Sequence, residues 1–102
     1  MADGHEIPVN DAAAMTAAWR NSGSFETFSG RKALAFNSDA IARLMNQDGC
    51  SGLRCYLAID EAGEITLVLA GYDEEGNDLL NELADRGTPC PSFCSEKNSL
   101  NS

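Results

Sequence analysis

Residues 53–72, LRCYLAIDEAGEITLVLAGY, determine the fold that the sequence predicts. The first part of this stretch alternates between apolar and other residues, which is typical of a strand with one buried face. A charged turn that contains a glycine, DEAGE, leads into a second apolar run. The stretch therefore predicts an antiparallel hairpin with strands at residues 53–60 and 65–72.

Neighbouring residues of the first strand are expected to point to opposite faces of the sheet. Cys55 shares a face with Leu57 and Ile59. This face is expected to point into the core, where a cysteine is commonly a small apolar residue. Arg54 and Tyr56 belong to the other face, either as surface contacts or as a binding patch.

A helix and a short strand are predicted before the hairpin. The helix is the alanine-rich run AAAMTAAWR, capped by Asn10 or Asp11, and its Met15 and Trp19 are four residues apart on a core-facing side. The short apolar segment KALAF then predicts an edge strand near residues 33–36.

Two further helices are predicted, one on each side of the hairpin. The first begins at Asn37 or Ser38 and has apolar residues spaced as on one helix face: Ile41, Leu44 and Met45. The other follows the turn YDEEGND, fits the spacing of Leu79, Leu80 and Leu83, and ends at Arg86-Gly87.

These elements predict an α+β fold, with a small antiparallel sheet packed against two to three helices and a cysteine-containing loop at the C-terminal end. A length of 102 residues corresponds to a single domain. The termini, residues 1–9 and 95–102, are polar and are predicted to be loosely held.

The charge of the chain argues against several classes of partner. Its formal net charge is −9, which repels the phosphate backbone of nucleic acids and anionic membrane surfaces. No apolar run approaches the length of a membrane span, and the N-terminal residues lack the pattern of a secretory signal. The sequence therefore predicts a cytoplasmic protein with no nucleic-acid or membrane partner.

Four cysteines carry most of the chemistry that the sequence offers: Cys50, Cys55, Cys90 and Cys94. In a cytoplasmic protein such a set more often indicates a metal site than disulfides. Cys50 lies in a glycine-flanked turn, and prolines stiffen the loop that presents Cys90 and Cys94. The pairs are spaced as Cys-x4-Cys and Cys-x3-Cys, within the range of zinc ligands. Cys55 is the weakest candidate because it lies within the predicted strand.

Two resemblances point to the same three thiols. The segment GCSGLRCY, residues 49–56, resembles the cysteine turn of A-type iron–sulfur carriers, in which two cysteines near the C-terminus complete the ligand set. Most of the chain resembles a group of short bacterial proteins with no established activity. The shared motifs are Ile7-Pro8, Met15-Thr16, the Cys-x-Gly-Leu-Arg-x-Tyr turn at residues 50–56, residues 67–73, Gly76-Asn77-Asp78 and the Cys-Pro-x-x-Cys-like loop at residues 90–94. The resemblances imply a ligand trio of Cys50, Cys90 and Cys94.

Two functions are predicted, and neither is catalytic. The first is a small thiol-cluster protein that holds zinc or an iron–sulfur unit in a structural or metal-handling role. The alternative is an adaptor or self-assembling subunit whose cysteines are core residues or disulfides. Both allow a protein partner or self-association.

Overall fold

The structure is a computed structural model, and it describes residues 5–101. Over these residues the chain forms three helices and five strands, in the order α1 Val9–Arg20, α2 Gly23–Thr27, β1 Ala33–Ala35, α3 Ser38–Met45, β2 Gly52–Ile59, β3 Ile65–Tyr72, β4 Asp78–Ala84 and β5 Thr88–Cys90. The strands make two antiparallel sheets, one of β2-β3-β4 and one of β1-β5. The predicted α+β class is confirmed.

The predicted hairpin is present as β2 and β3. The two strands pair along their whole length, from Gly52 opposite Tyr72 to Ile59 opposite Ile65. Asp60 organises the turn, because its carboxylate accepts hydrogen bonds from the backbone N–H groups of Ala62 and Glu64. Charged side chains, a glycine and local hydrogen bonds thus make the turn that the sequence predicts.

The prediction of a third helix at residues 79–83 is wrong, because this segment is strand β4. The turn before β4 repeats the design of the first turn, since the Asp73 carboxylate accepts from the N–H groups of Glu75 and Asn77. Leu79 lies opposite Gly71, but Leu83 lies opposite the adjacent residue Ala70. The register therefore shifts between the two pairs, and residues 80–82 lie outside the regular ladder.

The predicted edge strand exists, but it does not extend the main sheet. β1 pairs with β5, with Ala33 opposite Cys90 and Ala35 opposite Thr88. The region after Gly87, predicted as loop and tail, thus begins with a short strand. The two small strands place the C-terminal cysteines beside β1.

The first helix begins before the predicted caps, at Val9, with Pro8 as its N-cap. Met15 is 65% exposed, so its prediction as a core residue is wrong. Trp19 is part of an aromatic group in which its ring contacts Phe25 edge-on and stacks with Phe28. The indole N–H of Trp19 donates to the carbonyl of Arg31 at 2.6 Å, which connects α1 to the segment leading into β1.

The core lies where α3 covers one face of the three-stranded sheet. Asn37 caps this helix as predicted, because its side chain accepts from the Ala40 N–H at 2.8 Å. Leu44 is fully buried and packs with Leu69 of β3 and Ala84 of β4. Four partly buried residues pack around this cluster: Phe36, Ile41, Leu53 and Leu67.

The described part of the predicted loose termini makes several contacts. Arg20 donates to the carbonyl of Leu100 and Lys32 donates to the carbonyl of Asn101. Residues 5–8 precede α1 without regular structure. Residues 1–4 and residue 102, which belong to the same prediction, lie outside the described residues.

Candidate functional site

The four cysteines occupy two different parts of the fold. Cys50 follows α3 and lies against β3, where a Cβ atom placed on Gly71 would be 2.8 Å from the Cys50 sulfur. Only glycine permits so close an approach. The Cys50 thiol also donates to the carbonyl of Gly52 at 3.3 Å. Cys50 therefore has local structural contacts in the turn before β2.

Cys90 and Cys94 form a disulfide, with their Cα atoms 4.9 Å apart. Cys90 is buried at the end of β5. Phe93, between the two cysteines, is exposed. Cys50 and Cys55 are free thiols. The structure thus brings two of the three predicted ligands together, but as a covalent pair and not as thiolates.

The predicted metal site depends on the state of these thiols. In the part of the chain that the structure describes, no group of three or more His, Cys, Asp or Glu side chains is arranged to hold a metal ion. Cys90 and Cys94 would supply thiolates only after reduction of their disulfide, because a metal binds the thiolate form. The zinc or iron–sulfur site stays a prediction for the reduced protein.

One face of the sheet carries a polar cluster of Arg54, Tyr56 and Asp78. The Arg54 guanidinium and the Tyr56 hydroxyl both donate to the Asp78 carboxylate, one to each oxygen. Arg54 also lies 5.0 Å from the centre of the Tyr72 ring. The three side chains connect β2 to β4 across β3. Arg54 and Tyr56, predicted as surface contacts or a binding patch, therefore make surface contacts that connect two strands.

The cluster changes the proton affinities of its members. The hydrogen bond from Tyr56 and then the Arg54 guanidinium lower the pKa of Asp78 below its usual value. The same hydrogen bond raises the pKa of Tyr56, because it stabilises the protonated phenol. Asp78 ends the predicted turn YDEEGND, and the sequence gives no sign of its distant partners.

The outer strand β2 exposes apolar side chains that the sequence assigned to the core. Leu57 is 79% exposed and Ile59 is 59% exposed. Cys55, on the same face, is exposed as well, so the prediction of a buried thiol is wrong. An exposed row of this kind is unusual in a monomer, where apolar side chains on a sheet face are normally covered.

The backbone of β2 is also unpaired on its outer side. β2 is at the end of the strand order β2-β3-β4, and among residues 5–101 no other strand pairs with it. The Asp60 N–H donates to the Glu64 carbonyl at 2.9 Å, so the backbone of Asp60 faces the neighbouring strand. Because this direction alternates along a strand, the N–H and C=O groups of Cys55, Leu57 and Ile59 point away from β3.

These features combine into one surface, which we call the β2 edge: the outward backbone groups and exposed side chains of Cys55, Leu57 and Ile59. No proline interrupts it, and Arg54, the single charged residue of β2, is engaged by Asp78. The β2 edge therefore lacks the charges and prolines that commonly prevent strands from pairing between molecules. The sequence contains these residues in plain alternation, but it does not reveal that their side chains are exposed.

Comparisons with protein-family models, with curated proteins and with solved structures found no match to this chain. The resemblances noted in the sequence thus stay predictions. Within the described residues, no helix combines the length and the apolar character needed to cross a bilayer.

Proposed function

We propose that the protein is a non-catalytic, self-associating structural subunit that uses the β2 edge to bind a second copy of itself. The observation that carries this proposal is the coincidence, on one strand, of exposed apolar side chains with unpaired backbone donors and acceptors. Such a strand supplies both of the interactions by which one sheet edge adds to another: ladder hydrogen bonds and burial of alternate side chains.

The surface area of the chain supports an additional partner. The chain exposes 7034 Å², whereas a compact monomer of this mass exposes about 5,600 Å². The radius of gyration is 15.1 Å, against about 13 Å for a compact domain of this length. The excess surface, about 1,400 Å², includes the exposed ends of the chain as well as the β2 edge, and it is larger than the ~800 Å² that each partner buries in an interface of standard size.

Charge also favours a second copy at this particular surface. The net charge of −9 opposes association in general. However, the acidic residues next to β2 lie in the turns, whereas the strand itself carries only Arg54, which is paired with Asp78. Except in the register that pairs Arg54 with its own copy, two β2 edges therefore meet without bringing like charges directly opposite each other.

The metal-binding function is the other prediction, and the disulfide weighs against it in the oxidised protein. Metal analysis of anaerobically reduced protein tests it directly. The predicted cytoplasmic location also depends on the redox state, since cytosolic thiols are generally kept reduced. A mass two hydrogens lower than that of the fully reduced chain, measured on protein purified with its thiols trapped, would identify the Cys90–Cys94 disulfide as a persistent bond.

Sedimentation velocity over concentrations from about 1 µM to about 1 mM tests the proposal, since this range covers the dissociation constants of weak and moderate interfaces. We expect a monomer–dimer equilibrium. The variant Leu57→Lys should raise the dissociation constant about 100-fold, because it places a charge in both copies of a central apolar contact.

The matched control is Leu80→Lys. Leu80 is 71% exposed, close to the 79% of Leu57, but it lies on β4 away from the β2 edge. This variant should dimerise like the wild type. A wild-type protein that is monomeric over the whole range would overturn the proposal, and so would equal loss of association in the two variants.

A further inference from the structure

The alternation of β2 restricts how two copies can join. In an antiparallel pair, residues directly opposite each other point to the same face of the sheet. The residues of β2 whose backbone points outward are the odd-numbered ones, as the Asp60–Glu64 hydrogen bond requires. A symmetric pair of β2 strands therefore joins the exposed apolar faces of the two copies on one side of a common sheet.

We propose that two copies pair antiparallel through β2 about a two-fold axis at Tyr56, which forms a continuous six-stranded sheet. This inference rests on the proposed self-association and adds its register. In this register Cys55 lies opposite Leu57 of the second copy, and Leu53 lies opposite Ile59 of the second copy. All exposed apolar residues of the β2 edge then have an apolar residue opposite them.

Three other registers pair the residues of β2 less favourably. An axis at Cys55 leaves Ile59, which is 59% exposed, opposite the polar Ser51 beyond the strand. An axis at Leu57 leaves Leu53 beyond the end of the partner strand, opposite Glu61 in the acidic turn. An axis at Arg54 places two guanidinium groups opposite each other, which is unfavourable. The axis at Tyr56 places Arg54 opposite the small Ala58 instead.

Disulfide cross-linking between single-thiol variants tests this register. Tyr56 does not direct its backbone outward, so the two Tyr56 residues form a non-hydrogen-bonded pair with Cα atoms about 4.5 Å apart. This separation is within the range for a disulfide, whereas the two copies of Ala58 would lie more than about 10 Å apart. Three variants carry a new cysteine in the Cys50→Ser/Cys55→Ser background: Tyr56→Cys, Leu57→Cys and Ala58→Cys. A fourth variant, Cys50→Ser alone, keeps Cys55 as its free thiol.

Oxidised glutathione serves as the oxidant, and each cross-link converts two thiols to one disulfide while glutathione disulfide is reduced to two thiols. We expect Tyr56→Cys to form covalent dimers at least about tenfold faster than Ala58→Cys, as only the first pair meets the geometry of a disulfide. Sedimentation of each reduced variant shows whether the substitution itself preserves association.

The outcomes separate the register from the proposed function. Fastest cross-linking of Tyr56→Cys supports the axis at Tyr56. Fastest cross-linking of Leu57→Cys, or of Cys55 in the Cys50→Ser variant, overturns this register while self-association through β2 stands. Dimers that none of these thiols cross-links overturn the β2 edge as the contact, and a monomer at every concentration overturns the proposed function as well.

Discussion

The two outer strands of the main sheet differ in how their free edges are protected. β4 has a register shift that leaves residues 80–82 outside the ladder. An ion pair between Arg43 of α3 and Glu82 of β4, at 2.6 Å, connects the helix to this strand. β2 is regular over its whole length and carries exposed apolar residues. β4 therefore has an irregularity and an ion pair to α3, whereas β2 has a regular ladder and a single charged residue, Arg54, that is paired with Asp78.

This contrast indicates which edge is available to a partner. Irregular strands, charges and covering helices are common means by which proteins prevent pairing between sheets. β4 has the irregularity, the charged residues Asp78 and Glu82, and the ion pair to α3. An unprotected edge in the same small sheet is therefore a specific feature of β2.

The largest loss of stability is expected from a substitution in the core, where α3 packs against the sheet. Leu44→Ala should lower the free energy of unfolding by about 3 kcal/mol, because a fully buried leucine is replaced by a cavity next to Leu69 and Ala84. Urea unfolding at low protein concentration measures this change. Leu44→Met conserves most of the volume and should cost less than about 1.5 kcal/mol. Equal losses in the two variants would contradict the packing described for α3.

The disulfide should affect stability without affecting either edge of the main sheet. Cys94→Ser should lower the free energy of unfolding by about 2 kcal/mol, because a short covalent loop restricts the unfolded chain. Its dissociation constant should stay close to that of the wild type, since Cys90 belongs to the separate β1-β5 sheet. Unfolding and sedimentation on the same preparation check both results, and a loss of dimer would show that the β2 edge depends on the disulfide.

A milder substitution separates binding from folding at the β2 edge. Leu57→Ala should change the unfolding free energy of the monomer by less than about 0.5 kcal/mol, because an exposed side chain loses little on truncation. It should nevertheless weaken dimerisation about tenfold. Leu80→Ala, on β4, should leave both quantities unchanged. A large loss of monomer stability for Leu57→Ala would mean that this side chain is part of the core.

The smallest effect concerns the polar cluster that connects β2 to β4. The folded state lowers the pKa of Asp78, so its stabilising effect is complete above the pKa of an unfolded aspartate, about 3.9, and is lost as the pH falls through the lower folded value. Asp78→Asn should therefore show a shallower loss of stability between neutral pH and acid than the wild type. Some acid sensitivity should persist, because the backbone N–H of Glu64 and then of Ala62 lower the pKa of Asp60 in the same direction.

Urea unfolding of the wild type and of Asp78→Asn at about pH 7, about pH 4 and about pH 3 checks the direction of this change in stability. The contribution is small because Arg54 and Asp78 are partly exposed, and solvent screens such pairs. Identical acid profiles for wild type and Asp78→Asn would show that the cluster does not stabilise the fold.

The sequence predicts those parts of the fold that depend on local interactions. The hairpin follows from alternation and from the turn at Asp60, and α3 follows from Asn37 and its apolar spacing. The sequence predicts a helix in place of β4 because Leu79 and Leu83 are four residues apart. That spacing is typical of a helix, but in β4 the two leucines lie opposite adjacent residues of β3, Gly71 and Ala70, on either side of the register shift. The turn at Asp73 repeats the Asp and Gly positions of the turn at Asp60, and this repeat is the signal that favours another strand.

The candidate site depended on long-range contacts that one sequence does not contain. The spacing of Cys90 and Cys94 is compatible with a metal, with free thiols and with a disulfide, and only their geometry distinguishes these states. The exposure of Leu57 likewise depends on where the helices lie. Alternation predicts which residues share a face, but it does not predict whether that face is covered by the same chain.

Amide hydrogen exchange, resolved residue by residue above and below the dissociation constant, tests the proposed pairing of β2 most directly. The N–H groups of Cys55 and Leu57 point outward, so their exchange should slow as the protein concentration rises, while the N–H groups of β4 exchange at an unchanged rate. Concentration-independent exchange at Cys55 and Leu57, in protein that sedimentation shows to be dimeric, would contradict the account.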